Sequence, residues 1–140
     1  MTRAPALKFH TKKPKRRDDE AALQRAVVQH LMLRAAPNVL WYKITNEGKR
    51  SLAMGAEMKR QGLLVGAADL GLLINGRGAC FLELKAKGKK PDGNQIAFGV
   101  KVLACGGDYA WADNINDALV LLENWGVFTR PAAEARRDAA

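Results

Sequence analysis

Two short apolar runs, Asp69–Ile74 and Ala79–Ala86, sit on either side of Asn75-Gly76-Arg77-Gly78. Apolar runs joined by an Asn-Gly-rich turn read as an antiparallel β-hairpin. The second run is Ala79-Cys80-Phe81-Leu82-Glu83-Leu84-Lys85-Ala86. Successive strand residues point to opposite faces, so Leu82 and Leu84 share one face and Glu83 and Lys85 the other. Two charges in the middle of an apolar strand carry a large desolvation cost unless they pair or bind an ion. The plain alternative is a Glu–Lys pair on a solvated surface hairpin.

The first strand opens on an acid, Asp69, and register decides where it points. Opposite residues of an antiparallel pair share a face. If Asp69 faces Glu83, residues 74 and 78 are also opposite, and the loop is the odd-length 75–77. A two-residue Gly76-Arg77 turn would place Asp69 opposite Leu84, on the core face. The expected hairpin therefore has an odd loop or a bulge. In that register the two carboxylates lie within roughly 5 Å, near enough to share a divalent cation. Ligation by oxygen alone suits Mg²⁺ or Mn²⁺.

The rest of the chain supplies a frame for this hairpin. Asp18 or Asp19 can cap a first helix that carries Leu23, Val27 and Leu31 at helical spacing and stops before Pro37-Asn38. Val39–Thr45 is β-branched and aromatic and reads as a strand. Residues 52–61 fit a short helix closed by Gly62. Asn94–Ala104 fits a helix closed by Gly106-Gly107, Tyr109–Ala112 a short strand, and Asn116 a cap for a last helix reaching Trp125. A hairpin followed by a helical crossover to another strand implies an α/β fold, a mixed β-sheet flanked by helices. At least one of Trp41 and Tyr42 belongs to the core. Trp111 and Cys80 also read as core residues. Trp125, Val127 and Phe128 read as a cover for the sheet or a dimer contact.

The chain has 140 residues and a net charge of +9, which suits one domain and points to a polyanionic partner. The charge is uneven. Residues 1–17 contain Arg3, Lys8, Lys12, Lys13, Lys15, Arg16 and Arg17 and no acid, and read as a disordered basic arm. Residues 18–130 form the expected domain and 131–140 a neutral, flexible tail. No apolar run approaches the ~20 residues of a membrane span, and no apolar stretch follows the basic start as a signal peptide requires. Two cysteines are too few for a disulfide framework and suit a reducing, intracellular compartment. The two histidines, His10 and His30, cannot build a zincin motif. No Gly-rich Walker motif is present, which excludes an ATP-driven motor.

Gly66-Ala67-Ala68-Asp69, Phe81-Leu82-Glu83-Leu84-Lys85, Gln95 on the next helix and Gly106-Gly107 before a short strand together resemble the PD-(D/E)XK nuclease superfamily. More narrowly, they resemble its VRR-NUC family over about residues 18–125. The Asn46–Arg50 loop and Gly62 also fit that pattern. One departure is Ala68, where the family carries proline before the acid. The resemblance implies a restriction-endonuclease-like αβββαβ core. It implies Asp69 and Glu83 as metal-binding acids, with the Leu84 carbonyl as a further ligand, and Lys85 as the catalytic lysine. It also implies Gln95 as the helix glutamine beside the site and Glu20 as the acid on the first helix. Glu20 precedes Leu23 and Val27 by three and seven residues, on the apolar side of its helix. It also has a simpler reading, as an acid favoured by the helix dipole in the first turn. Gln95 has one too, as a surface or capping residue.

Lys49, Arg50, Lys87, Lys89 and Lys90 are either solvated loop charges or phosphate contacts, and Lys12, Lys13, Lys15, Arg16 and Arg17 would add reach from the arm. The resemblance implies a Mg²⁺- or Mn²⁺-dependent DNA endonuclease, a small homodimer acting on branched DNA such as four-way junctions, in the cytoplasm of a bacterial or phage-infected cell. Two other readings stay open: a DNA-binding module that keeps the fold without catalysis, and an adaptor that binds through its arm.

Overall fold

The structure is a computed structural model that describes residues 16–45 and 51–129. Lys12, Lys13, Lys15, Lys49 and Arg50 lie outside the described residues, as do the side chains of Arg16 and Arg17. The element order is α1 (Arg16–Arg34), β1 (Val39–Lys43), α2 (Leu52–Arg60), β2 (Leu70–Ile74), β3 (Gly78–Leu84), α3 (Gly93–Ala104), β4 (Asp108–Ala112) and α4 (Ile115–Asn124). Helix α1 thus begins at Arg16, two residues before the expected Asp18 cap, so the last two arm cations belong to a helical turn.

The four strands form one sheet in the order β1-β2-β3-β4. The first two neighbouring pairs are antiparallel, and β3–β4 is parallel. The α3 crossover between β3 and β4 explains the change, since parallel neighbours cannot be joined by a tight turn. This is the expected mixed sheet flanked by helices. No helix among the described residues is long and apolar enough to cross a membrane.

The β2–β3 register pairs Leu70 with Leu82, Leu72 with Cys80 and Ile74 with Gly78. The loop is therefore residues 75–77, the odd length that the charge pattern demands, and its extension sets Asp69 opposite Glu83. Gly76 and Gly78 adopt φ of 80° and 98°, a region open to glycine without strain.

One face of the sheet is the core. Leu70, Leu72, Cys80, Leu82 and Leu84 are almost fully buried against Val27 and Leu31 of α1 and Ala118 and Leu122 of α4. Trp125 and Val127 join that core, and Trp41 packs against it, whereas Tyr42 is exposed. The opposite face receives α3. Phe98 of that helix meets Phe81 edge-on at 5.2 Å and Tyr109 at 6.0 Å. Gly99 allows the close approach, because a Cβ there would lie 2.6 Å from the Tyr109 ring.

Two elements differ from the sequence reading. The cap of α4 is Asn114, whose side chain accepts from the Asp117 amide, so that helix starts before Asn116. Trp111 is 38% exposed rather than core, because it lies on the α3 face of the edge strand β4, where α3 covers it only in part.

Candidate active site

Asp69 stands where the chain enters β2. Its carbonyl accepts from the Ile44 amide at 2.9 Å, which ties it to the end of β1. Its Oδ2 accepts from the Leu84 amide at 2.8 Å, so the acid side chain continues the ladder where β2 has not yet begun. Gly66, with φ of 85°, brings the preceding loop onto α3, where a Cβ would lie 2.4 Å from the Asn94 backbone. Ala68, the residue in place of the family's proline, is fully buried.

Glu83 is the buried charged residue of the described chain, only 3% exposed. Gln95 Nε2 donates to its Oε1 at 2.7 Å, while its Oε2 is buried with no hydrogen-bond partner among the described residues. Burial first, and then the Asp69 charge, push the Glu83 carboxyl up to about 8, against a smaller opposing pull from Lys85.

Lys85 lies just past the end of β3. Its amide donates to the Ala112 carbonyl at 2.9 Å, which extends the parallel pairing and fixes the side-chain direction. Its ammonium is 3.4 Å from Gln95 Oε1 and 3.7 Å from Glu20 Oε1. Glu20 Oε1 also accepts from the Ala86 amide at 3.3 Å, so α1 reaches across the end of the sheet. Gln95 serves two purposes at once. Asp92 accepts from the Gln95 amide and Gln95 Oε1 accepts from the Asp92 amide, the reciprocal capping box of α3. The same amide side chain joins Glu83 to Lys85.

The structure thus brings Glu20, Asp69, Glu83, Lys85 and Gln95 to one end of the sheet. Lys87, Lys89 and Lys90 follow in the adjoining loop, with Lys87 and Lys90 exposed. Two residues of the site escaped the sequence reading. Asp92 is the cap that seats Gln95; the Asp-x-x-Gln spacing is its signal. Asp113 Oδ2 accepts from the Gly88 amide at 3.0 Å and anchors the lysine loop. That bond first, with help from Asn114, holds the Asp113 carboxyl below its usual range. Nothing local marks Asp113, because it acts on a loop 25 residues away.

A divalent cation fits this donor set. Asp69 and Glu83 oppose each other, the open oxygen of Glu83 is buried, and burial and then the Asp69 charge raise its proton affinity. The Leu84 carbonyl is the third oxygen assigned by resemblance. Among the described residues no group of three His, Cys, Asp or Glu side chains is placed to hold a metal ion, so the set is two carboxylates rather than a full protein cage. Mg²⁺ commonly keeps several waters in such sites.

The sheet order, the crossover helix and the acid pair at the strand ends define a restriction-endonuclease-like α/β fold. Within that class, the chain has the fold of VRR_NUC domains. It superposes on a solved "VRR_NUC domain protein" with a TM-score of 0.59 and 14% identity, covering 81% of this chain and 89% of that one. A solved "VRR_NUC domain" matches with a TM-score of 0.51 and 19% identity, over 75% of this chain and 95% of that one. No protein-family model matches the chain, and no curated protein matches it in sequence.

Proposed function

We propose that the chain is a metal-dependent DNA endonuclease of the VRR-NUC type, with Asp69 and Glu83 holding Mg²⁺ or Mn²⁺. The observation that carries this reading is the buried Oε2 of Glu83, unpartnered among the described residues, set opposite Asp69 and two residues from Lys85 on the same face of the strand. A bound cation would lower the pKa of its water and neutralise charge on the scissile phosphate. Lys85, steered by Glu20 and Gln95, presents an ammonium to that phosphate or to the attacking water. Gln95 orients Glu83, as groups behind a metal ligand commonly do. Lys87, Lys89 and Lys90 supply phosphate contacts beside the reacting bond, with Lys49, Arg50 and the cations of residues 1–17 extending the footprint. Branched DNA, a homodimer whose two sites face a symmetric junction, and a cytoplasmic setting complete the proposal, on the strength of the family resemblance.

The test incubates labelled linear duplex, flap and four-way junction DNA with the protein, with and without Mg²⁺. Metal-dependent cleavage is expected, fastest on a branched substrate. Glu83→Gln and Lys85→Ala should abolish it while DNA still binds. Unchanged cleavage in both variants overturns the site, and binding without cleavage in the wild type favours the non-catalytic module.

A further inference from the structure

Beside the acid pair, on the α3 face, β4 carries an exposed aromatic. Trp111 is the parallel partner of Glu83, so the two residues lie on neighbouring strands, about 4.8 Å apart along the sheet. Trp111 and Tyr109 form one wall of an open groove of about 350 Å³, and Lys90, Pro91, Ile96 and Val100 line the rest. Ile96 and Val100 are 55% and 63% exposed, so the described residues leave this side of α3 uncovered. The Tyr109 hydroxyl is buried without a hydrogen-bond partner among the described residues.

We infer that this groove binds an unpaired nucleotide flanking the scissile phosphate, its base stacked on Trp111 and its phosphate facing Lys90. This rests on the nuclease reading and adds the strand form that the site takes. Three observations select this occupant. The groove is continuous with the site through the Glu83–Trp111 pairing and through Ile96, which directly follows Gln95. Lys90 stands at its lip, with Lys87 and Lys89 in the same loop just ahead of Asp92. Its walls are apolar and aromatic, which suits a base face and not a duplex backbone. Bases inside a duplex offer no free face for stacking, whereas an unpaired base does.

The test is binding in EDTA, read by anisotropy of a short labelled oligothymidylate and of a blunt hairpin duplex. Wild type, Trp111→Ala and Trp111→Phe are compared as full chains, with folding checked by thermal melts. Trp111→Ala should weaken single-strand binding about five-fold or more, the size of one lost stacking contact. Trp111→Phe should keep most of the affinity, and duplex binding should change less than about two-fold in both. Equal losses for the two DNA forms, or no loss in either, overturn the groove. So does a wild-type dimer that Trp111→Ala turns into a monomer with single-strand affinity unchanged, because a second copy is then the occupant. If the chain cleaves nothing with any metal and the selective loss persists, the nuclease reading falls and the groove stands. Robust cleavage without selective loss brings down the groove alone.

Discussion

The two faces of β3 are built from alternate residues of one seven-residue strand, yet they obey different rules. Towards α1 and α4 it presents Cys80, Leu82 and Leu84, all nearly inaccessible and all apolar. Towards α3 it presents Phe81 and Glu83, with Lys85 continuing the phase. The first face is satisfied as it stands: even the Cys80 thiol is inert, pushed up to about 11 by burial and then by Asp108. The second face holds an acid whose open oxygen has no partner. Stability is concentrated on one side of the strand and unspent polarity on the other, and the period of two keeps them separate.

The largest effects should come from testing that separation directly. Leu82→Ala removes a fully buried side chain from the core face and should destabilise the fold by about 2–5 kcal/mol, measured by denaturant titration. Glu83→Gln, one residue away, should raise the melting temperature in EDTA while eliminating cleavage. A loss of stability in Glu83→Gln comparable to that in Leu82→Ala would show that both faces are structural.

The same comparison has a pH signature. The Glu83 carboxyl is raised from 4.5 to about 8 in the folded chain, so the folded state holds more protons than the unfolded one across that window. Stability is therefore greatest below the unfolded value and is lost as pH rises through about 8. In EDTA the melting temperature should fall by about 4 °C or more between pH 5 and pH 8.5, and Glu83→Gln should flatten the slope. Mg²⁺ should raise the melting temperature more at pH 8.5 than at pH 5, because only the ionised acid holds it.

Smaller effects should separate Asp92 from Gln95. Asp92→Ala removes a helix cap and should lower stability by about 1 kcal/mol. Gln95→Ala breaks the same capping box and also frees Glu83 and Lys85. It should match the stability loss and, in addition, weaken metal binding about 10- to 100-fold by titration calorimetry. Equal metal affinities in the two variants would reduce Gln95 to a capping residue.

The hairpin register was legible in the sequence because a one-residue slip would send Asp69 to the core face, leaving one acceptable loop length. The convergence of Glu20 on Lys85 was legible only through its helical phase, and the structure adds the Ala86 amide that the phase cannot reveal. The sequence points to Trp111 as core because composition rewards burying an indole, while the coverage of its strand depends on where α3 ends its contact with the sheet. The sequence alone offers Asn116 as the α4 cap because either asparagine suits the position. Asn114 wins because its side chain reaches the Asp117 amide and its neighbour Asp113 engages the lysine loop. Residues that act across the chain, rather than along it, leave little local trace.

The smallest expected effect lies at the far end of β3, where a charged pair looks structural. Arg77 Nη1 meets Asp108 Oδ2 at 3.0 Å, and its Nη2 donates to the Asn124 carbonyl at 3.2 Å. This links the hairpin loop to β4 and α4, so it is a rival explanation for the register that faces Asp69 to Glu83. Both partners are more than a third exposed, and such pairs contribute only about 0–1 kcal/mol. Gly76 in the loop and Gly78 at the start of β3 adopt positive φ, and the strands on either side bury Leu72, Ile74 and Cys80 in that one register. Arg77→Ala should therefore cost no more than about 1 kcal/mol and leave cleavage within about two-fold of wild type. A large loss of cleavage at nearly full stability would mean that the surface pair, and not the alternation of the strand, holds the two acids face to face.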